Sequence, residues 1–110
     1  MSFNIKTIPN FDKEFKKLYK KYPSLLDDFQ IVLKELSLNP QFGTSIGKGC
    51  FKIRMSISSK NKGKSSGARI ITCIKIQDEV ITLISIYDKS EQADIPQNVL
   101  LQLLENSLLM

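Results

Sequence analysis

Residues 48–87 read KGCFKIRMSISSKNKGKSSGARIITCIKIQDEVITLISIY, and three strand-like segments follow one another within them. In residues 50–58 apolar side chains alternate strictly with polar ones, which predicts a strand with one face on a core. The apolar positions are Phe51, Ile53, Met55 and Ile57, and the polar positions are Lys52, Arg54, Ser56 and Ser58. Residues 68–77 predict a second strand. After a turn at Asp78-Glu79, residues 80–87 predict a third strand, which is apolar on both faces, as is typical of a central strand.

Two amphipathic helices precede these strands. Their apolar stripes recur at helical spacing on either side of Pro23, which separates the helices. The stripes consist of Phe11, Phe15, Leu18, Tyr19 and Tyr22, followed by Leu25, Phe29, Val32, Leu33 and Leu36. We place helix caps at Asn10 and at Ser24, with Asp27 completing a capping box at the second helix. Residues 2–8 predict a short strand before the first helix.

A C-terminal helix over about residues 96–107 completes the predicted elements. Its apolar stripe consists of Val99, Leu100, Leu103 and Leu104. The predicted order is β-α-α-β-β-β-α. Because the helical hairpin must cover its stripes, we expect an α+β fold in which a small antiparallel sheet carries the hairpin on one face. The sequence has neither repeats nor a linker, so residues 1–110 are expected to form one domain.

Positive charge is concentrated between Lys48 and Arg69. This stretch holds seven Lys and Arg residues and no acid, whereas the whole chain carries +5, so the remainder sums to −2. A charge imbalance confined to about a fifth of the chain indicates a local site for an anion. A polyphosphate such as RNA or DNA is the natural candidate.

Period-two geometry groups several of these charges. Lys52 and Arg54 share one face of a strand with Cα atoms about 7 Å apart, a spacing that resembles neighbouring phosphates of a nucleic acid. Arg69 opens the next strand and comes near them if the two strands pair. Lys89 lies just beyond the third strand, where Tyr87 offers an aromatic ring. The other basic residues expected to bind phosphates are Lys48, Lys60, Lys62 and Lys64. The alternative is that the lysines form a solvated loop and a wet strand face.

Composition excludes several classes of site. The chain has no histidine, which rules out Ser-His-Asp catalysis and the common zinc sites. Cys50 and Cys73 lack metal-ligand spacing, so we expect two reduced cysteines with at least one in the core. No apolar run approaches the roughly 20 residues that cross a bilayer, and the start lacks a signal-peptide pattern. We therefore expect a cytoplasmic protein without a membrane partner.

Two segments together resemble the RelE/ParE superfamily of toxin–antitoxin toxins, in particular its RelE and HigB-like branch. They are KSSGARII at residues 64–71 and IYDKSEQ at residues 86–92. The family carries a K-(S/G)-G-A-R-(V/I)-I segment and a closing (L/I)-Y-x-K-x-E-Q element. The resemblance runs from about Phe11 to the C-terminal helix, and it implies a RelE-like fold.

The resemblance also implies an activity, which is ribosome-dependent cleavage of mRNA. Family toxins of this branch use no metal and no cofactor, and the RNA 2′-hydroxyl attacks its own phosphodiester to leave a 2′,3′-cyclic phosphate. By position, the catalytic residues implied are Lys52, Arg54, Arg69 and Lys89. One feature departs from the family pattern, because the tyrosine near the start of the C-terminal helix is missing from ADIPQNVLL at residues 93–101. Tyr87 in a stacking role, or a lysine as general base, are the alternatives.

The implied partners are a cognate antitoxin, the ribosome and mRNA. The apolar stripe of the C-terminal helix and the tail Leu108-Leu109-Met110 add to this, because exposed apolar surface marks an interface. We expect the antitoxin to cover it with an amphipathic, acidic helix. Two other functions stay open at this point: a ParE-like inhibitor of DNA gyrase, and a basic module that binds RNA without cutting it.

Overall fold

The computed structural model describes residues 3–60 and 67–108. Within these ranges the chain forms five strands, three α-helices and one 3₁₀ turn. In order they are β1 (Asn4–Thr7), α1 (Pro9–Lys21), α2 (Leu25–Leu38), β2 (Thr44–Gly47), β3 (Cys50–Met55), the 3₁₀ turn (Ser58–Lys60), β4 (Ala68–Lys75), β5 (Val80–Asp88) and α3 (Gln97–Leu108). The expected α+β class is confirmed.

The five strands form one sheet in the order β1-β5-β4-β3-β2. Strands β3, β4 and β5 make the predicted antiparallel meander. The sheet is mixed, because β1 pairs parallel with β5 at one edge. At the other edge, residues 44–47 form the short strand β2, for which the predicted order β-α-α-β-β-β-α has no element. Its four residues, TSIG, are too few and too polar to show alternation, so pairing with β3 is what makes them a strand.

The helical hairpin covers one face of the sheet, with α1 against β5 and α2 against β3. The apolar stripes predicted for both helices supply its buried side chains, namely Phe11, Leu18, Leu25, Val32 and Leu36. They meet Ile53, Ile70, Leu83 and Ile86 from the strands in one core. Phe15 lies between Phe11 and Phe29, with ring centroids 5.9 and 5.0 Å away. Burial of these side chains is the main driving force for folding.

Helix α3 lies on the opposite face. Strand pairing puts Cys73 and Thr82 on the same face as Arg69, and these two residues line a groove of about 650 Å³ together with Leu101 of α3. In the predicted stripe of α3, Leu100 is buried whereas Val99 is 40% exposed. The expected apolar tail at Leu109-Met110 lies outside the described residues. None of the described helices is long and apolar enough to cross a bilayer.

Neither predicted cap residue makes a capping hydrogen bond, although Ser24 does stand at the predicted N-cap position of α2. Helix α1 begins after Ile8, so Asn10 lies in its first turn, and its amide donates to Glu14 and to the carbonyl of Ile84. Ser24 does precede α2, but its hydroxyl donates to the Asp28 carboxylate at 2.8 Å instead of capping a backbone N–H. In both cases the polar side chain donates to a carboxylate four residues further along, Glu14 or Asp28, instead of accepting from a backbone N–H.

The prediction of two reduced cysteines is also wrong. Cys50 and Cys73 are direct partners in the β3–β4 register, with Cα atoms 4.1 Å apart, and a disulfide joins them. The register decides this pairing, because it places two residues 23 positions apart in the sequence directly opposite each other. Strand β3 also ends earlier than predicted, at Met55, although Ile57 beyond it is fully buried.

Candidate nucleic-acid interface

A row of three side chains crosses the sheet on the face opposite the helical hairpin. In the strand register Arg54 of β3 pairs with Arg69 of β4, and Arg69 pairs with Tyr87 of β5. Side chains that are directly opposite on neighbouring strands share a face, about 5 Å apart at Cβ. The pairing therefore brings the two arginines side by side, as the strand pattern predicted.

Arg69 is buried within this row, as Tyr87 also is. Its residue is 5% exposed, and its Nη1 donates to the carbonyl of Ala68 at 3.1 Å. Burial lowers the pKa of the Arg69 guanidinium, and the charge of Arg54 lowers it further. The fold therefore holds one guanidinium in place against a second that is exposed, at an electrostatic cost. A local concentration of positive charge that costs stability is typical of functional sites.

Gly67 allows the strands to approach at this end of the sheet. A Cβ at this position would lie 2.1 Å from the carbonyl oxygen of Met55, so no other residue fits without moving β3. The carbonyl of Gly67 accepts a hydrogen bond from the backbone N–H of Lys89 at 2.9 Å. Gly67 thus ties the start of β4 both to β3 and to the segment that follows β5.

Asp94 supplies a carboxylate to the same face. Its Oδ1 accepts hydrogen bonds from Lys52 Nζ at 3.1 Å, from Tyr87 Oη at 3.3 Å and from the N–H of Ile95 at 2.9 Å. The Asp94 side chain is 62% exposed and that of Lys52 is 27% exposed, so both can be reached from solvent. We refer to Lys52, Arg54, Arg69, Tyr87 and Asp94 as the basic face.

The surroundings shift the pKa values of two of these groups in opposite directions. Burial, followed by the charge of Asp94 and its hydrogen bond, raises the pKa of Tyr87 to about 12. Burial alone would raise the pKa of Asp94, but hydrogen bonds from Ile95 and Lys52 outweigh it and hold that pKa below its ordinary value. At neutral pH Tyr87 is therefore a hydroxyl donor, and Asp94 is an anion among cations.

Immediately after Tyr87, the chain points a carboxylate to the other side of the sheet. The Asp88 side chain is fully buried and accepts hydrogen bonds from Lys60 Nζ at 2.8 Å and from Tyr22 Oη at 2.7 Å. The N–H and hydroxyl of Ser90 donate at 2.9 and 2.7 Å. We refer to Asp88, Lys60, Tyr22 and Ser90 as the Asp88 hub. Burial alone would raise the pKa of Asp88, but these bonds hold it well below its ordinary value.

Solved structures of RelE toxins share this architecture. The isolated RelE toxin of E. coli is 18% identical, with a TM-score of 0.60 over 96% of this chain and 98% of that one. A chain of the RelBE2 toxin–antitoxin complex of Mycobacterium tuberculosis is 14% identical, with a TM-score of 0.59 over 80% and 99%. A mutant of E. coli RelE bound to an antitoxin RelBc peptide is 22% identical, with a TM-score of 0.59 over 83% and 90%.

The chain has the RelE toxin fold. No family model matches it. At these identities the likeness concerns the fold, and the chemistry must be argued from the side chains of this chain.

Within this RelE fold, the basic residues singled out in the sequence separate into distinct groups. Lys52, Arg54 and Arg69 lie together on the basic face. Lys89 lies beside it, with its Nζ donating to the carbonyl of Ala93 at 2.9 Å. Lys48 is distant, because it lies in the turn before β3 and lines the groove under α3. About 13 Å of strand separates Cys50 from Arg54, at roughly 3.3 Å per residue.

The lysine loop, residues 60–64, carries three of the lysines that were expected to bind phosphates. Lys60 is held by Asp88 in the hub, with its side chain only 11% exposed, so it does not extend into solvent as expected of a phosphate-binding lysine. Lys62 and Lys64 lie outside the described residues. Tyr87 is 4% exposed, so its ring is covered, and its hydroxyl is the part that takes part in the basic face.

Sequence reasoning missed Asp94 as a site residue. It lies two residues before a proline and just before a helix, a context that suggests a helix start. The one sequence signal for its role was the lack of any acid between Lys48 and Arg69, which leaves a basic face in need of a counter-charge from elsewhere in the chain. In residues 3–60 and 67–108 no group of three Cys, Asp or Glu side chains is placed to hold a metal ion.

Proposed function

We propose that this chain is the toxin of a toxin–antitoxin module and acts as a ribosome-dependent endoribonuclease on mRNA. The observation that carries the proposal is the row of Arg54, Arg69 and Tyr87 on the sheet face opposite the helical hairpin of a RelE fold, in which Arg54 is exposed. Two guanidinium groups and a hydroxyl donor in one row form a receptor for a phosphodiester, since guanidinium forks match phosphate oxygens. Lys52 adds a fourth donor along β3.

The proposed chemistry needs no group beyond the RNA and the protein. The 2′-oxygen attacks the adjacent phosphorus, its proton leaves to a base, and the bond to the 5′-oxygen breaks. The products are a 2′,3′-cyclic phosphate and a 5′-hydroxyl end that has taken up a proton. In this reaction negative charge accumulates on the phosphorane oxygens. Arg54 and Arg69 are proposed to stabilise that charge, because they are in place before the reaction begins.

The other groups take supporting roles in the proposal. Tyr87 keeps its proton at neutral pH and serves as a hydrogen-bond donor to the phosphate. Lys52 and Lys89 neutralise neighbouring phosphates, as positively charged groups do along single-stranded RNA. Asp94 occupies the place of an anion while no RNA is bound, and a phosphate replaces it. Lys48 is proposed to make an outlying phosphate contact. For Lys62 and Lys64 the proposal rests on charge alone.

A cognate antitoxin is the proposed protein partner. Two of the structures with this fold contain an antitoxin, one as the RelBE2 complex and one as RelE with a RelBc peptide. The basic face of this chain suits an acidic partner, and the partly exposed Val99 of α3 adds apolar surface. An antitoxin that covers both would keep the toxin idle in the cytoplasm.

Cleavage of a reporter mRNA on programmed ribosomes tests the proposal. Primer extension should locate a defined cut within the open reading frame, in the presence of a metal chelator, and the new 3′ end should carry a cyclic phosphate. Arg69→Ala should abolish most of the cut, whereas Asp12→Ala, an exposed acid on α1, should not. Loss of methionine incorporation without any cut would contradict the nuclease. Accumulation of linear plasmid would indicate a gyrase inhibitor instead.

A further inference from the structure

Strand β5 contains one residue more than β4 across their pairing. Ile71 pairs with Ser85, whereas the next residue, Thr72, pairs with Leu83. Ile84 is therefore an extra residue, and β5 has a β-bulge in its centre. A bulge interrupts the ladder and leaves backbone groups that need other partners. It also reverses the alternation of side chains beyond it.

This reversal decides which residue faces the site. Leu83 pairs with Thr72 on the face that carries the hairpin. With strict alternation from Leu83, Tyr87 would lie on that same face and Asp88 on the other. With the extra residue, Tyr87 pairs with Arg69 on the basic face and Asp88 reaches the hub. The bulge is therefore what puts a tyrosine beside the two arginines.

Helix α1 satisfies the backbone groups that the bulge frees. Asn10 Nδ2 donates to the carbonyl of Ile84 at 3.1 Å, and Glu14 Oε1 accepts from the N–H of Ile86 at 3.3 Å. Glu14 Oε1 also accepts from the Ser85 hydroxyl at 2.8 Å and from Asn10 Nδ2 at 2.8 Å. Asn10 and Glu14 are four apart on one helix face, so a single turn of α1 holds both sides of the bulge.

We propose that Asn10 and Glu14 are positioning residues, which fix the bulge at Ile84 and so set Tyr87 in line with Arg69. The alternative for β5 is a one-residue slip, which a buried strand resists through its apolar pattern. That resistance is weak in β5, because the strand is buried on both faces and either register buries apolar side chains. The polar contacts from α1 therefore favour the observed register over the slipped one.

The chemistry of Glu14 gives a conservative test. Burial raises the pKa of Glu14 against hydrogen bonds from Ser85, Ile86 and Asn10 that lower it. The role proposed here needs an acceptor oxygen and not a charge, so Glu14→Gln should keep it, whereas Glu14→Ala should lose it. Asn10→Ala should lose the contacts to Ile84 and to Glu14 but keep those that Glu14 makes to Ser85 and Ile86, and should give a smaller effect. Asp12→Ala, an exposed acid in the same turn of α1, is the matched control.

The readout is the environment of Tyr87, followed by NMR of protein labelled with ¹³C at the tyrosine ζ-carbon. The chain has three tyrosines, and single Tyr→Phe variants assign them. Glu14→Ala should move the Tyr87 signal away from its position in the parent protein, because the ring leaves its place beside Arg69, while the signal of Tyr19 on α1 stays in place. Glu14→Gln and Asp12→Ala should leave Tyr87 unchanged. Movement of Tyr19 together with Tyr87 would indicate general loss of α1 and would overturn the proposal.

The effect on RNA cleavage rests on the proposed function, and the NMR result does not. If the nuclease is correct, Glu14→Ala should lose about tenfold to 10²-fold in cleavage, the scale of a misplaced reacting group, and Glu14→Gln should restore it. A shifted Tyr87 in a protein that cuts no RNA would leave the positioning role standing and remove the nuclease. An unshifted Tyr87 in folded Glu14→Ala or Asn10→Ala would overturn the positioning role, whatever the activity. If Glu14→Ala fails to fold, Asn10→Ala and Glu14→Gln decide the matter.

Discussion

Tyr87 and Asp88 are consecutive residues of β5, but they belong to two regions built on opposite rules. Asp88 lies in the hub, where a fully buried carboxylate accepts four hydrogen bonds from its own chain, one of them from the Lys60 ammonium group. Tyr87 lies on the basic face, where Arg54 and Arg69 are paired across the sheet and repel each other. In the hub, the negative charge of Asp88 is balanced by Lys60 of the same chain. The basic face keeps an excess of positive charge, because Asp94 balances only one of its three cations.

The comparison predicts that substitutions at these two adjacent residues of β5 affect different properties of the protein. A buried ion pair does not by itself make a protein more stable than an apolar core would, but removal of one partner is costly. A cluster of like charges costs stability until an anion binds, and is retained where binding matters. Mutations in the hub should therefore act on folding, and mutations on the basic face should act on RNA. The predictions below test this difference between the two regions, from the largest expected effect to the smallest.

Asp88→Ala should have the largest effect, on folding. It removes the buried carboxylate that accepts from the Lys60 ammonium and the Tyr22 hydroxyl, which should cost about 3–5 kcal/mol of unfolding free energy. Chemical denaturation followed by circular dichroism measures this. The matched control is Glu91→Ala, which removes an ion pair with Lys21 whose side chains are both 55% exposed. That exposed pair should contribute little to stability.

The same carboxylate predicts the response to acid. The folded pKa of Asp88 is lowered, so its contribution to stability is present above the unfolded pKa of about 3.9 and is lost as the pH falls below it. Asp88→Asn should be less stable than the parent at neutral pH, and should lose less further stability between about pH 4 and pH 2. Parallel curves for the two proteins over that range would contradict the role of the hub.

Arg69→Ala should have the second largest effect, on cleavage. Loss of one preorganised charge-stabilising donor should reduce the rate about 10²-fold, in primer extension on programmed ribosomes. Unfolding free energy should change less than in Asp88→Ala, because the substitution also removes the repulsion with Arg54. Arg69→Lys keeps the charge but not the planar fork, so it should fall between the two. Equal losses in Arg69→Ala and Lys48→Ala would break the distinction between the basic face and the rest of the basic stretch.

Asp94→Asn should strengthen RNA binding. The asparagine keeps an acceptor for the Ile95 N–H but removes the negative charge that competes with a phosphate. We expect about threefold to tenfold tighter binding of a short single-stranded RNA at low salt, and little difference near 1 M salt, where such interactions are screened. Fluorescence anisotropy measures it, with Glu91→Gln as the control for a lost acid elsewhere. Weaker binding in Asp94→Asn would mean that the carboxylate positions Lys52 rather than competing with RNA.

The smallest effect should come from single lysines. Lys52→Ala should reduce the slope of log K against log salt by about 0.7, the value for one phosphate contact on single-stranded RNA. Lys48→Ala removes the same charge from the turn near the α3 groove, and should change the slope less. Equal changes in slope would indicate that RNA binds along the whole of β3 as far as the groove under α3.

Much of this architecture is local in the sequence. Period-two alternation in residues 50–58 and helical spacing in α1 and α2 predicted the strands, the hairpin and the face that carries Lys52 and Arg54. These patterns are readable because each depends on neighbours two to four residues apart. The proximity of Arg54 and Arg69 followed from one further assumption, that consecutive strands pair.

The tertiary structure alone decided the partner of each polar side chain. The β3–β4 register joined Cys50 to Cys73, and the buried site of Asp88 withdrew Lys60 from the lysine loop. Neither result has a local pattern, because the partners are 23 and 28 residues apart.

The face of Tyr87 shows the limit most clearly. VITLISIY has apolar residues on both faces, so its sequence permits either register, and alternation gives no direction. One extra residue at Ile84, held by Asn10 and Glu14 more than 70 positions away, turns Tyr87 to the basic face. The sequence by itself determined the elements and the excess of charge, which are short-range properties. Long-range contacts set the strand register. That register decided which charged residues lie together and which residues share the basic face.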